Sequence, residues 1–91
     1  MRRHRSDNNS QEIVELLRAA GVTVVDLSQT GNGVPDKLLG WCGQTHMMEI
    51  KNGPLGWKYT PAQCTFRARW NGSPILTFER IEDAMSWLCK R

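Results

Sequence analysis

Two carboxylates and a lysine stand at a spacing that could do chemistry. Gly33-Val34-Pro35-Asp36 is followed, after twelve residues, by Glu49-Ile50-Lys51. Side chains alternate along a strand, so Glu49 and Lys51 share one face about 7 Å apart while Ile50 points the other way, into the core. Asp36 lies at the mouth of the preceding strand, after a proline that fixes its own φ and biases Val34 towards an extended shape. If the two strands pair through the turn at Cys42-Gly43-Gln44, Asp36 and Glu49 meet at the same end of the sheet. Two acids and an ammonium group then converge. Hard oxygen ligands of this kind suit Mg²⁺ or Mn²⁺ rather than zinc.

Such a site needs elements to position it, and the sequence predicts the order αβββαβα. Ile13, Leu16, Leu17 and Ala20 recur at helical spacing, so a first helix is expected over 10–20, ended by Gly21, with 1–9 as a basic and polar tail. The β-branched run 22–27 reads as a strand, and 28–33 as a glycine-rich turn. Strands are expected at 37–41, 45–51 and 74–78. Residues 52–59 form a loop rich in Gly and Pro, Thr60 caps a second helix with Pro61 at its first position, and Asn71-Gly72 closes it. Ile81, Ala84, Met85 and Leu88 mark a last amphipathic helix.

Composition bounds the reading. The chain has 91 residues, 40% of them hydrophobic, and a net charge of +3, which is one small domain. A chain of this length buries only about 60–65% of its unfolded surface, so dimerisation would help it. No apolar run is long enough to span a bilayer, and no apolar region follows Met1-Arg-Arg-His-Arg5, so neither a membrane span nor a secretory signal is expected. Cys42, Cys64 and Cys89 fit neither a zinc motif nor a disulfide framework, which points to a reducing, cytoplasmic setting. From Ile50 to Phe78 there is no acidic residue, while Lys51, Lys58, Arg67 and Arg69 lie among Trp57, Tyr59, Phe66 and Trp70. That mixture suits a phosphate backbone, and it equally describes a solvated face above core aromatics.

Pro35-Asp36 with Glu49-Ile50-Lys51 resembles the signature of the PD-(D/E)XK nuclease superfamily. Together with Gln11-Glu12-Ile13 on the first helix and Thr60-Pro61-Ala62-Gln63 opening the second, it resembles the virus-type replication-repair (VRR-NUC) branch, which is related to archaeal Holliday-junction resolvases. The resemblance covers residues 10–88. It implies a restriction-endonuclease-like α/β core, a mixed sheet flanked by helices. It also implies Mg²⁺- or Mn²⁺-dependent hydrolysis of DNA phosphodiesters, leaving a 5′ phosphate and a 3′ hydroxyl. Asp36, Glu49 and the main-chain carbonyl of Ile50, with Glu12 directly or through water, would hold the metal, and Lys51 would position the attacking water.

Each residue also has a plainer role open to it. Glu12 sits near the edge of the apolar helix face, but it also fits a capping box with Asn9. Gln63 could complete a capping box with Thr60, contact DNA or orient Lys51. Asp26 lacks the preceding proline and the spacing and is read as structural, and His46 faces away from Glu49. Phosphate contacts are expected from Lys58, Arg67, Arg69 and the tail residues Arg2, Arg3 and Arg5. Relatives this small that stand alone look like homodimers, whose symmetry gives the two active sites a branched DNA needs, and a dimer surface could draw on Trp41, Trp57, Trp70 or Trp87. The family further suggests a phage or prophage protein. The loop 52–59 departs from the polar, glycine-rich linker expected there. Two other classes fit: a catalytically silent nucleic-acid-binding module, and a phage regulator that binds a host protein through its tryptophans.

Overall fold

The computed structural model describes residues 5–51 and 58–90. Its elements are α1 (Arg5–Ala19), β1 (Thr23–Asp26), β2 (Lys37–Trp41), β3 (Gln44–Ile50), α2 (Pro61–Arg69), β4 (Leu76–Phe78) and α3 (Ile81–Cys89). They make an α/β structure around one four-stranded sheet in the order β1-β2-β3-β4. The first two pairings are antiparallel and β3 pairs with β4 in parallel, so the sheet is mixed as expected.

The start of α1 corrects the sequence reading. The helix begins at Arg5, so residues 5–9 are not tail, and Asn9 is an interior helix residue rather than a cap. Its side chain donates instead to the Glu79 carbonyl at 2.8 Å. Polar residues carry no apolar period, which is why that first turn and a half is invisible to pattern reading. The other end is as expected. Gly21 takes φ +98°, its amide bonds the Arg18 carbonyl and the Val22 amide bonds the Leu17 carbonyl, a Schellman stop.

Strand parity sorts the two faces of the sheet. Val24, Leu39, Met48, Ile50 and Phe78 pack with Ile13 and Leu17 of α1 and Ala84 of α3 in one core. The opposite face carries Glu49 and Thr77, and α2, which buries none of its residues, lies on that side. Trp41 and Trp87 pack against the core with ring centres 5.2 Å apart, each half-buried. No described helix is long and apolar enough to cross a membrane. The three cysteines are free and exposed.

Candidate active site

A two-residue turn sets the register that builds the site. Cys42 and Gly43 take φ +53° and +77°, the positive pair that a tight hairpin of type I′ requires, and Trp41 then faces Gln44. The pairing runs on to Lys37 opposite Met48. Asp36 therefore arrives beside Glu49 and Ile50, where its Oδ2 accepts from the Ile50 amide at 3.3 Å. Pro35 before it is fully buried, and the Asp36 carbonyl accepts from the Leu27 amide at 2.7 Å, so the backbone on both sides of this acid is anchored.

Glu49 is 3% exposed, the sole buried charged or polar residue described. Its Oε2 accepts from Gln63 Nε2 at 2.9 Å, and its Oε1 is buried without a hydrogen-bond partner. Burial pushes the Glu49 carboxyl above its usual range, the Asp36 charge pushes it the same way, and Lys51 and Arg67 pull it back.

Gln63 joins the acid to the lysine. Its Oε1 accepts from Lys51 Nζ at 2.8 Å and from the Thr60 amide at 2.9 Å, while its own amide donates to Thr60 Oγ1 at 3.1 Å. The side-chain amide has one orientation that satisfies both neighbours, nitrogen towards the carboxylate and oxygen towards the ammonium. Gln63 thus completes the capping box and bridges Lys51 to Glu49 at once. Two roles that the sequence left as alternatives are compatible.

A further cluster lies alongside. The Arg67 guanidinium sits 4.0 Å from the Tyr59 ring centre and donates to Thr77 Oγ1 at 3.0 Å, and the Tyr59 hydroxyl lies 2.7 Å from the same oxygen. Lys51 Nζ is 5.4 Å from the Tyr59 ring centre. Thr77 stands opposite Glu49 in the parallel β3–β4 register, a pairing the sequence did not reveal. Arg67, expected on DNA, is therefore engaged within the protein, whereas Lys58 and Arg69 are exposed. Arg2, Arg3, Trp57 and most of the loop 52–59 lie outside the described residues, as does the side chain of Arg5.

Glu12 does not join this cluster. It is exposed on α1, the helix that packs across the other face of the sheet from Glu49, and among the described residues no group of three His, Cys, Asp or Glu side chains could hold a metal. What converges is Asp36, Glu49, Lys51 and Gln63. The rival acid Asp26 pairs with Lys37 at 3.1 Å and accepts from the Ser28 amide and hydroxyl, bonds to Ser28 and Lys37 that hold it at about 2. His46 meets the Trp87 ring edge-on and points away from Glu49.

The donor set fits a divalent cation. A buried carboxylate oxygen without a partner, next to a second carboxylate, is an arrangement a cation would neutralise and satisfy. Compared with family models, with curated proteins and with solved structures, the chain gives no match.

Proposed function

We propose that this chain is a metal-dependent endodeoxyribonuclease, with Mg²⁺ or Mn²⁺ held by Asp36, Glu49 and the main-chain carbonyl of Ile50. The observation that carries the reading is the unpartnered, buried Oε1 of Glu49 beside Asp36. When bound, the metal would acidify a water and offset charge developing on the phosphoryl oxygens. Lys51, whose ammonium group donates to Gln63, would align the water or neutralise the departing charge. Gln63 keeps that ammonium from collapsing onto Glu49, because it stands between them. Hydrolysis in line with the 3′ oxygen would leave a 5′ phosphate and a 3′ hydroxyl. Branched DNA is the proposed substrate, and a homodimer the proposed working unit.

The test is incubation of the purified protein with labelled four-way junction, flap, single-stranded and linear duplex DNA, with and without Mg²⁺ or Mn²⁺. Cleavage that needs the metal and disappears in Asp36→Ala supports the proposal. Binding without cleavage in either metal rejects it in favour of a silent binding module, and undiminished cutting by Asp36→Ala rejects the assignment of the site.

A further inference from the structure

Between the loop that leads into Asp36 and the C-terminal half of α2 lies an open groove of about 400 Å³ lined by Asn32, Val34, Thr65, Phe66, Arg69 and Trp70. One wall is a loop of fixed shape. Gly31, Asn32 and Gly33 all take positive φ, the Val34 amide bonds the Gly31 carbonyl at 3.1 Å, and Gly33 lies so close to α2 that a Cβ there would meet the Ala62 carbonyl oxygen at 2.1 Å. The other wall is the last turn of α2.

Trp70 in that wall is 39% exposed and yet held from three directions. Its Nε1 donates to the Ser73 carbonyl at 2.7 Å, Phe66 stacks on it with ring centres 5.6 Å apart and planes 21° apart, and Gly72 comes so near that a Cβ would stand 2.5 Å from Cζ2. Fixed in place and partly open to solvent, the Phe66–Trp70 pair offers an aromatic surface at the groove. The lining includes a guanidinium and no acid, which matches a polyanion. Val34 is two residues from Asp36, so their Cα atoms are at most about 7 Å apart, close to the spacing between neighbouring nucleotides.

We infer that this groove binds an unpaired nucleobase of the DNA strand, next to the phosphate at Asp36 and Glu49, with Trp70 and Phe66 offering the aromatic surface and Arg69 the adjoining phosphate contact. The inference rests on the nuclease reading for its substrate and deepens it. A base inside an intact duplex is stacked on its neighbours and must be pulled out before it can enter such a slot, whereas a base at a branch, flap or frayed end is already free. The groove then selects DNA with unpaired bases.

Binding measured in EDTA, where nothing is cut, tests this. Fluorescence anisotropy would compare a labelled blunt duplex with the same duplex carrying a three-nucleotide unpaired extension, with 2-aminopurine in the extension reporting stacking. The wild type is expected to bind the extended duplex about tenfold tighter. Trp70→Ala and Thr65→Trp should lose that preference and bind blunt duplex as the wild type does, and Trp70→Phe should keep most of it. Thr65 is exposed, so Thr65→Trp fills the groove without emptying any core and decides the matter if Trp70→Ala does not fold. Equal wild-type affinity for both DNAs, or an intact preference in Thr65→Trp, overturns the inference. Metal-dependent cutting without the preference sinks the groove alone; the preference without cutting sinks the nuclease reading alone.

Discussion

Gln63 donates from Nε2 to Oε2 of Glu49 across 2.9 Å, which leaves the other oxygen of that buried carboxylate unanswered. A buried polar atom without a partner costs roughly 1–3 kcal/mol, more if it is charged. A fold that keeps one at the C-terminal end of a central strand, with a second acid beside it, stores a demand for positive charge there. Glu49→Gln removes the charge and keeps the shape. Cleavage should fall by about 10³-fold or more, because several kcal/mol of transition-state stabilisation go with the metal. Duplex binding in EDTA should not weaken, and anisotropy beside a gel assay measures both.

The same carboxylate gives the metal-free protein a definite pH dependence. Its folded pKa is raised, chiefly by burial and next by Asp36, so the folded state binds the proton more tightly than the unfolded one. The penalty is absent below the ordinary carboxylate range and grows as pH rises from there through the raised value. In EDTA the melting temperature should therefore drop over that interval in the wild type and stay flatter in Glu49→Gln. Mn²⁺ at about a hundred times its dissociation constant should restore about 2.7 kcal/mol to the wild type and nothing comparable to Glu49→Gln. Thermal melts across pH, with and without Mn²⁺, read this directly.

Thr60 and Gln63 share one capping box but should separate in a mutant pair. Thr60→Ala removes the hydroxyl that accepts from the Gln63 amide, which costs about 1 kcal/mol of stability. It leaves Gln63 able to bridge Lys51 and Glu49, so kcat should change by less than about threefold. Gln63→Ala removes the bridge as well and should lower kcat by about ten- to a hundredfold at a similar loss of stability. Melting curves and single-turnover rates on the two variants check the split.

Much of this arrangement was legible because local rules are strong where it is built. Strand alternation places Glu49 and Ile50 on opposite faces, the tight turn read at 42–44, which the structure narrows to Cys42 and Gly43, brings Asp36 to Glu49, and Thr60-Pro61 announces the start of α2. Long-range terms account for what was not legible. The Asn9 side chain finds the Glu79 carbonyl, seventy positions away, and no periodicity marks residues 5–9 as helix. β4 is shorter than its β-rich sequence suggests, since it pairs only with Met48, Glu49 and Ile50 of β3. Thr77 and Tyr59 draw Arg67 inward through that same pairing, and a charge run in sequence cannot distinguish such an arginine from an exposed one.

Gly33 should be the least replaceable glycine of the loop. Gly33→Ala meets the Ala62 carbonyl oxygen at 2.1 Å on a backbone at φ +78°, so α2 must shift or the loop must refold. Gly31→Ala faces only the φ cost, of about 1–2 kcal/mol, because nothing lies within 4 Å of its Cβ. Gly33→Ala should lose more than that by urea unfolding. Its activity should fall as well, since the displaced helix carries Gln63 and the displaced loop carries Asp36.

The basic residues divide by burial into two predictions. Lys58 and Arg69 are exposed and free to neutralise phosphates, so each alanine variant should reduce the slope of log Kobs against log[salt] by about 0.9. Arg67 spends its guanidinium on the Tyr59 face and on Thr77 Oγ1. Arg67→Ala should leave the slope nearly unchanged and instead lower stability by about 1–2 kcal/mol, the worth of a charged hydrogen bond and a stacked cation. It also removes a positive charge that favours the ionised form of Glu49, so the metal-free pH drop should become steeper in this variant. Salt titrations of duplex binding and pH-dependent melts on the three variants would distinguish an arginine that touches DNA from one that holds the site together.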